Sequence, residues 1–223
     1  MLPVTEQDSN FPSLSEMSVA EIVQAINSED KKVAEAIGTC LPEISKLIEA
    51  VVDSLSKGGR LFYIGAGTSG RLGILDASEC PPTYGVDFDL VTGIIAGGDG
   101  AIRKAVEFAE DDTTAAIKDL ESRGMKSGDI VVGISASGKT PYVLGGLQAC
   151  NSAGITTGCI CCNLDSPIGR EAQFPIEVVV GPEVITGSTR MKAGTAQKLI
   201  LNMITSTSMV KLGKVSGSKM VNM

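Results

Sequence analysis

The stretch Leu61-Phe-Tyr-Ile-Gly65-Ala-Gly-Thr-Ser-Gly70 decides the fold. Four apolar residues, too few for a helix, run into a glycine-rich turn, and a helical pattern follows over about 69–78. The same order of strand, turn and helix recurs downstream. Apolar runs stand at 90–96, 130–134, 157–162 and 176–180, with helical stretches at about 100–123, 140–153 and 189–212. Short buried runs alternating with helices predict an α/β fold: a doubly wound, mostly parallel five-stranded sheet flanked by helices. In such sheets ligands sit beyond the carboxyl ends of the strands, where the glycine- and hydroxyl-rich loops of this chain fall. Upstream, Ser18-Val-Ala-Glu21 is a capping box opening a short helix, and Asn27-Ser-Glu-Asp30 reads as a restart into a second. Pro42 then stands in a first turn, and Ile44, Leu47, Ile48, Val51, Val52 and Leu55 keep helical spacing up to Gly58-Gly59. The polar residues 1–16 read as a loosely held arm. The expected division is 1–57 for arm and N-terminal helices, 58–215 for the α/β domain and 216–223 for a short tail.

Composition narrows the chemistry. The 223 residues contain no histidine and no tryptophan. Serine–histidine and cysteine–histidine nucleophile pairs and imidazole metal sites are therefore excluded, and proton transfer near neutrality falls to carboxylates, Lys, Cys or Tyr. A formal net charge of -7, without any Lys/Arg cluster, argues against nucleic-acid binding. No apolar run is long enough to span a membrane and no secretory leader is visible, so a cytoplasmic protein is expected. The six cysteines, three of them in Cys159-Ile-Cys-Cys162, read as buried free thiols rather than a metal site.

Two loops imitate other things. Gly65-Ala-Gly-Thr-Ser-Gly70 satisfies the GxGxxG dinucleotide fingerprint only in part: the acidic residue belongs at the end of the next strand about 20 positions on, but that strand ends Ile94-Ile-Ala-Gly-Gly98 and Asp99 comes 29 residues after Gly70. Gly133-Ile-Ser-Ala-Ser-Gly-Lys-Thr140 satisfies the P-loop pattern, yet no strand ends in the Asp that would hold magnesium, and Pro141 follows at once. A single reading covers both loops. Ser135, Ser137 and Thr140 form S-x-S-x-x-T at a helix start, Thr68 and Ser69 offer the same hydroxyls from the neighbouring loop, and hydroxyls with free helix N–H groups make a phosphate cradle needing neither Lys nor metal.

That second loop resembles the sugar isomerase (SIS) domain of phosphosugar-binding proteins, and three longer segments narrow the resemblance. Tyr63 to Thr83, Gly133 to Val143 and Gly181 to Lys198 resemble the signatures of N-acetylmuramic acid 6-phosphate etherases, the last being shared with glucokinase regulatory proteins. The resemblance runs from about Met17 to Val221. It implies that 58–215 is a phosphosugar-binding domain and that the protein is a lyase of cell-wall recycling, which cleaves the lactyl ether of a 6-phosphorylated amino sugar, uses no cofactor or metal and acts as a homodimer. By the family pattern Glu79, in Asp-Ala-Ser-Glu-Cys, is the acid that protonates the leaving oxygen, and Glu110, in Ala-Glu-Asp, is the base that removes the C2 proton. Glu107 is the fallback base, three residues away on what reads as one helix face. Thr68, Ser69, Ser135, Ser137, Thr140 and Ser188 are assigned to the phosphate and sugar hydroxyls. Arg190, Lys192 and Lys198 are weaker sources of positive charge, and Asp76 a local hydrogen-bond partner. The sequence carries Lys139 where these etherases usually have Arg, and they continue past this length with a helical tail. A sugar-phosphate-sensing regulator without chemistry is the second reading, and a P-loop NTPase the third.

Overall fold

A computed structural model of the chain describes residues 2–221; Met1 of the expected arm and Asn222 and Met223 of the expected tail lie outside them. Among the described residues five strands form the main sheet: β1 (Leu61–Gly65), β2 (Val91–Ile95), β3 (Ile130–Ile134), β4 (Thr156–Cys161) and β5 (Phe174–Glu177). They pair in the order β2-β1-β3-β4-β5, and every pairing is parallel. The order reverses between β1 and β3. A crevice therefore opens beyond their carboxyl ends, where residues 65–70 and 135–140 leave the sheet.

Among the same residues seven α-helices cover the sheet: α1 (Val19–Gly38), α2 (Leu41–Ser56), α3 (Gly67–Tyr84), α4 (Ala115–Ser122), α5 (Pro141–Ser152), α6 (Pro167–Glu171) and α7 (Lys192–Lys211). Alternate strand residues feed two apolar layers. Leu61, Tyr63, Val132 and Ile160 pack with α1, α2, α3 and α7; Phe62, Ile64, Val131 and Cys159 pack with α4, α5 and α6. All six thiols are free and buried, as read from the sequence. Among the described residues no helix is long and apolar enough to cross a membrane.

Several local expectations change. The helix opened by the Ser18–Glu21 capping box does not stop at Asn27–Asp30. Ala25, Glu29, Val33 and Ile37 keep one buried face at four-residue spacing, which carries α1 through. The arm is held rather than loose. Thr5 is buried, its N–H donates to Asn163 Oδ1 (3.2 Å) and its hydroxyl accepts from Asn163 Nδ2 (2.8 Å). Ser9 likewise bonds Thr186 and the Val184 carbonyl. The stretch 100–123 is not one helix; short 3₁₀ turns at Asp99–Ile102 and Ala109–Asp111 precede α4. Asp112 Oδ1 accepts from the N–H and the hydroxyl of Thr114, both at 2.8 Å, a local turn that interrupts the helix. The last strand is β5 at 174–177 rather than 176–180, and the short α6 has no counterpart in the sequence pattern. Val215–Ser216 and Lys219–Met220 close a small hairpin at the expected tail.

Candidate active site

The second loop gathers its hydroxyls as the sequence pattern requires. Ser135 Oγ lies 2.8 Å from Thr140 Oγ1 and 3.4 Å from Ser137 Oγ. Thr140 precedes α5, but its side chain makes no cap bond to the helix. Its hydroxyl therefore belongs to the cluster and the first turn of α5 is left open to an anion. The loop also turns two of its own donors inward: Gly138 N–H reaches Ser135 Oγ (3.1 Å) and Lys139 N–H reaches Ser137 Oγ (3.2 Å). A P-loop directs such N–H groups outward at phosphates, and the Lys139 ammonium is drawn instead to Glu6 of the arm at 3.5 Å. Both features speak against the NTPase reading.

The first loop runs into α3 at Gly67, again without a side-chain cap. A Cβ on Gly70 would press on the Gly65 carbonyl (2.8 Å) and on Ile95 (2.6 Å), so glycine lets helix and strand approach here. Ser69 is buried and donates to Gln197 Oε1 of α7 (2.9 Å), while half-buried Thr68 faces the start of α7 beside Gly194. A cavity of about 190 Å³ adjoins this loop, lined by Ala66, Gly67, Arg71, Glu107 and Glu110. Both candidate bases thus face the first loop, but from irregular backbone rather than one helix face. Phe108 between them has φ +63°. Arg71 holds the stretch before them by donating to the carbonyls of Ala101 (2.8 Å) and Ile102 (2.7 Å).

Glu79 lies elsewhere. From Gly67 it stands 12 residues along α3, about 18 Å at ~1.5 Å per residue. It is exposed and lines a separate groove of about 210 Å³ between α3 and α7, with Asp76, Lys198 and Asn202. Burial pushes the Asp76 carboxyl up to about 6, against the hydrogen bonds it accepts from Thr205 (3.1 Å) and Tyr63 (3.2 Å). A larger groove, about 790 Å³, opens where the strands begin, lined by Gly58, Lys126 and Gln173. It lies away from the strand ends and helix starts that bind anions, and we assign it no chemistry.

Comparison with known proteins places this geometry. A model of the glucokinase regulatory protein N-terminal SIS domain matches residues 43–151, and a SIS domain model matches 110–206. An N-acetylmuramic acid 6-phosphate etherase of Christiangramia forsetii is 56% identical over 99% of this chain and 81% of its own length. One of Bacteroides thetaiotaomicron is 54% identical over 100% and 80%. The chain belongs to the N-acetylmuramic acid 6-phosphate etherase family. Solved structures repeat the fold at lower identity. The phosphoheptose isomerase GmhA of Neisseria gonorrhoeae has a TM-score of 0.63 at 18% identity, covering 86% of this chain and 98% of its own. A sugar-phosphate isomerase of Listeria monocytogenes, itself assigned only provisionally, has 0.63 at 18%, covering 88% and 93%.

The etherase-family chain keeps Ser188 out of its last helix. Ser188 is half-buried in a turn, its N–H on the Ile185 carbonyl, because α7 begins only at Lys192. The start of α7 is capped from outside by buried Glu183, which accepts from Lys192 N–H and Ala193 N–H, both at 2.9 Å. Lys192, only 1% exposed, is bound by Glu29 of α1 at 2.6 Å, so its charge is spent inside the fold. Gln197, Glu183 and Asn163 brace these loops without a role assigned from sequence, although Glu183 and Gln197 fall within the Gly181–Lys198 signature. Gln197 and Asn163 act on groups 128 and 26 residues away, which no local spacing reveals.

Proposed function

We propose that this etherase-family chain is a carbon–oxygen lyase that converts N-acetylmuramic acid 6-phosphate and water to N-acetylglucosamine 6-phosphate and D-lactate in amino sugar recycling. The observation that carries it is the match, at 53–56% identity over nearly the whole chain, to relatives named for that substrate. In this reading the 6-phosphate sits on the hydroxyls of Ser135, Ser137 and Thr140 and the open start of α5. Thr68, Ser69 and Ser188 meet the rest of the sugar. With the ring open, the C1 aldehyde acidifies C2–H. Glu110 takes that proton, the electron pair forms the C2–C3 double bond, and the C3–O bond breaks as Glu79 protonates the departing lactate oxygen. Water then adds at C3, returning its proton to Glu79, while Glu110 reprotonates C2. Neither step needs imidazole.

The roughly 18 Å of helix between Glu79 and the first loop exceeds the reach of one amino sugar. We therefore read the enzyme as a cytoplasmic homodimer in which one subunit's Glu79 serves the other's loops, with no nucleic acid or membrane involved. Incubation with the substrate in deuterated, oxygen-18 water tests the chemistry. D-lactate, deuterium at C2 and oxygen-18 at C3 are expected, with Glu79→Ala slower by about 10²–10⁴-fold. Binding without lactate release would favour the regulator instead.

A further inference from the structure

The groove around Glu79 contains more than an acid. Lys198, on α7, lines it opposite Glu79, and among the described residues its ammonium has no ion-pair partner. Asp76, which lines the same groove, hydrogen-bonds elsewhere: Oδ2 accepts from Tyr63 and Oδ1 from Thr205. Leu72, Leu75 and Leu201 supply an apolar wall and Asn202 an amide. Lys198 draws on the Asp76 carboxyl through its charge but makes no direct ion pair with it, and in a chain with a formal net charge of -7 an exposed lysine facing a small, half-apolar groove marks a place for an anion with an alkyl side.

We propose that this groove is the leaving-group subsite, in which Lys198 binds the lactyl carboxylate while the leucines take its methyl group. The proposal rests on Glu79 being the acid of the reaction above. A donor within hydrogen-bond reach of the ether oxygen holds the lactyl carboxylate a few ångströms away, because only one carbon separates that oxygen from the carboxyl carbon. The assignment stands whichever subunit supplies the sugar, since Glu79 and Lys198 share one groove. It gives the enzyme a means to choose lactyl ethers over neutral ones. A neutral ether offers the lysine an acceptor but no opposite charge, so it forgoes the ion pair that the carboxylate makes.

The test compares the 3-O-lactyl substrate with its lactamide counterpart, identical except for the lost charge. The wild-type protein is expected to prefer the acid in kcat/KM by about 10–100-fold, the value of one hydrogen bond to a charged group. Lys198→Met is expected to bring that ratio close to one, chiefly by slowing the acid, and Lys198→Arg to restore most of it. Lys198 is exposed, so both variants fold, and each ratio compares two substrates on one protein. A preference retained in Lys198→Met, or absent from the wild type, overturns the subsite. Failure of the wild type to release lactate from the acid at all overturns the lyase reading itself, a separately visible result.

Discussion

A single carboxyl, Asp76, couples the floor of the α3–α7 groove to the sheet. Its oxygens hold Tyr63 of β1 and Thr205 of α7, and burial keeps its proton on to about pH 6. The folded state therefore binds a proton that the unfolded chain releases above its ordinary value of 3.8. Stability falls as pH rises through that window and levels off above it. Asp76→Asn keeps an acceptor for Thr205 and an amide beside the Tyr63 oxygen without the charge. The slope between about pH 4 and about pH 7 should flatten in urea unfolding of that variant. An unchanged slope would assign the titration to another group. The sequence suggests Asp76 as a local hydrogen-bond partner, but its partners stand 13 and 129 residues away, and the source of its shift is burial, which no spacing reports.

The elements differ in how plainly the sequence displays them, for physical reasons. The first four strands are short apolar runs that the sequence displays, whereas β5, Phe174-Pro-Ile-Glu177, carries Pro and Glu, so its expected position is displaced onto the more apolar run that follows it. The segment 99–114 reads as a helix because its apolar spacing survives, while the Asp112–Thr114 turn and the left-handed Phe108 break it. That segment carries Glu110, and it is braced from behind by α5, where a Cβ on Gly145 would overlap the Thr113 carbonyl. Gly145→Ala is therefore expected to push the segment outward. Overpacking of this kind costs about 1–3 kcal/mol, and each kcal/mol lowers Tm by about 2–4 °C in a chain of this size. If Glu110 is the base, kcat should fall beyond what the lost stability explains. A melting curve and a kinetic titration on one preparation separate the two effects. The second loop is plainer in sequence, since Ser135, Ser137 and Thr140 meet across only five residues.

For the molecule as a whole, the proposed acid and base line different cavities, and a symmetric pair of chains would unite them. Glu79→Ala and Glu110→Ala, each inactive, should then complement when mixed and reassembled. Half of the dimers would be mixed and each would carry one intact site of two, returning about a quarter of wild-type activity. No recovery would put both carboxylates in one chain's site. The arm adds a different consequence. Thr5 finds its hydrogen-bond partner at Asn163, 158 residues on, and Ser9 finds Thr186, 177 residues on. During synthesis the first residues to emerge must therefore wait for the sheet to be nearly complete before they can settle. Asn163 also donates to the carbonyl of Ser137, so the arm settles on the same residue that braces the second loop, and that loop gains its full surroundings only after both have formed.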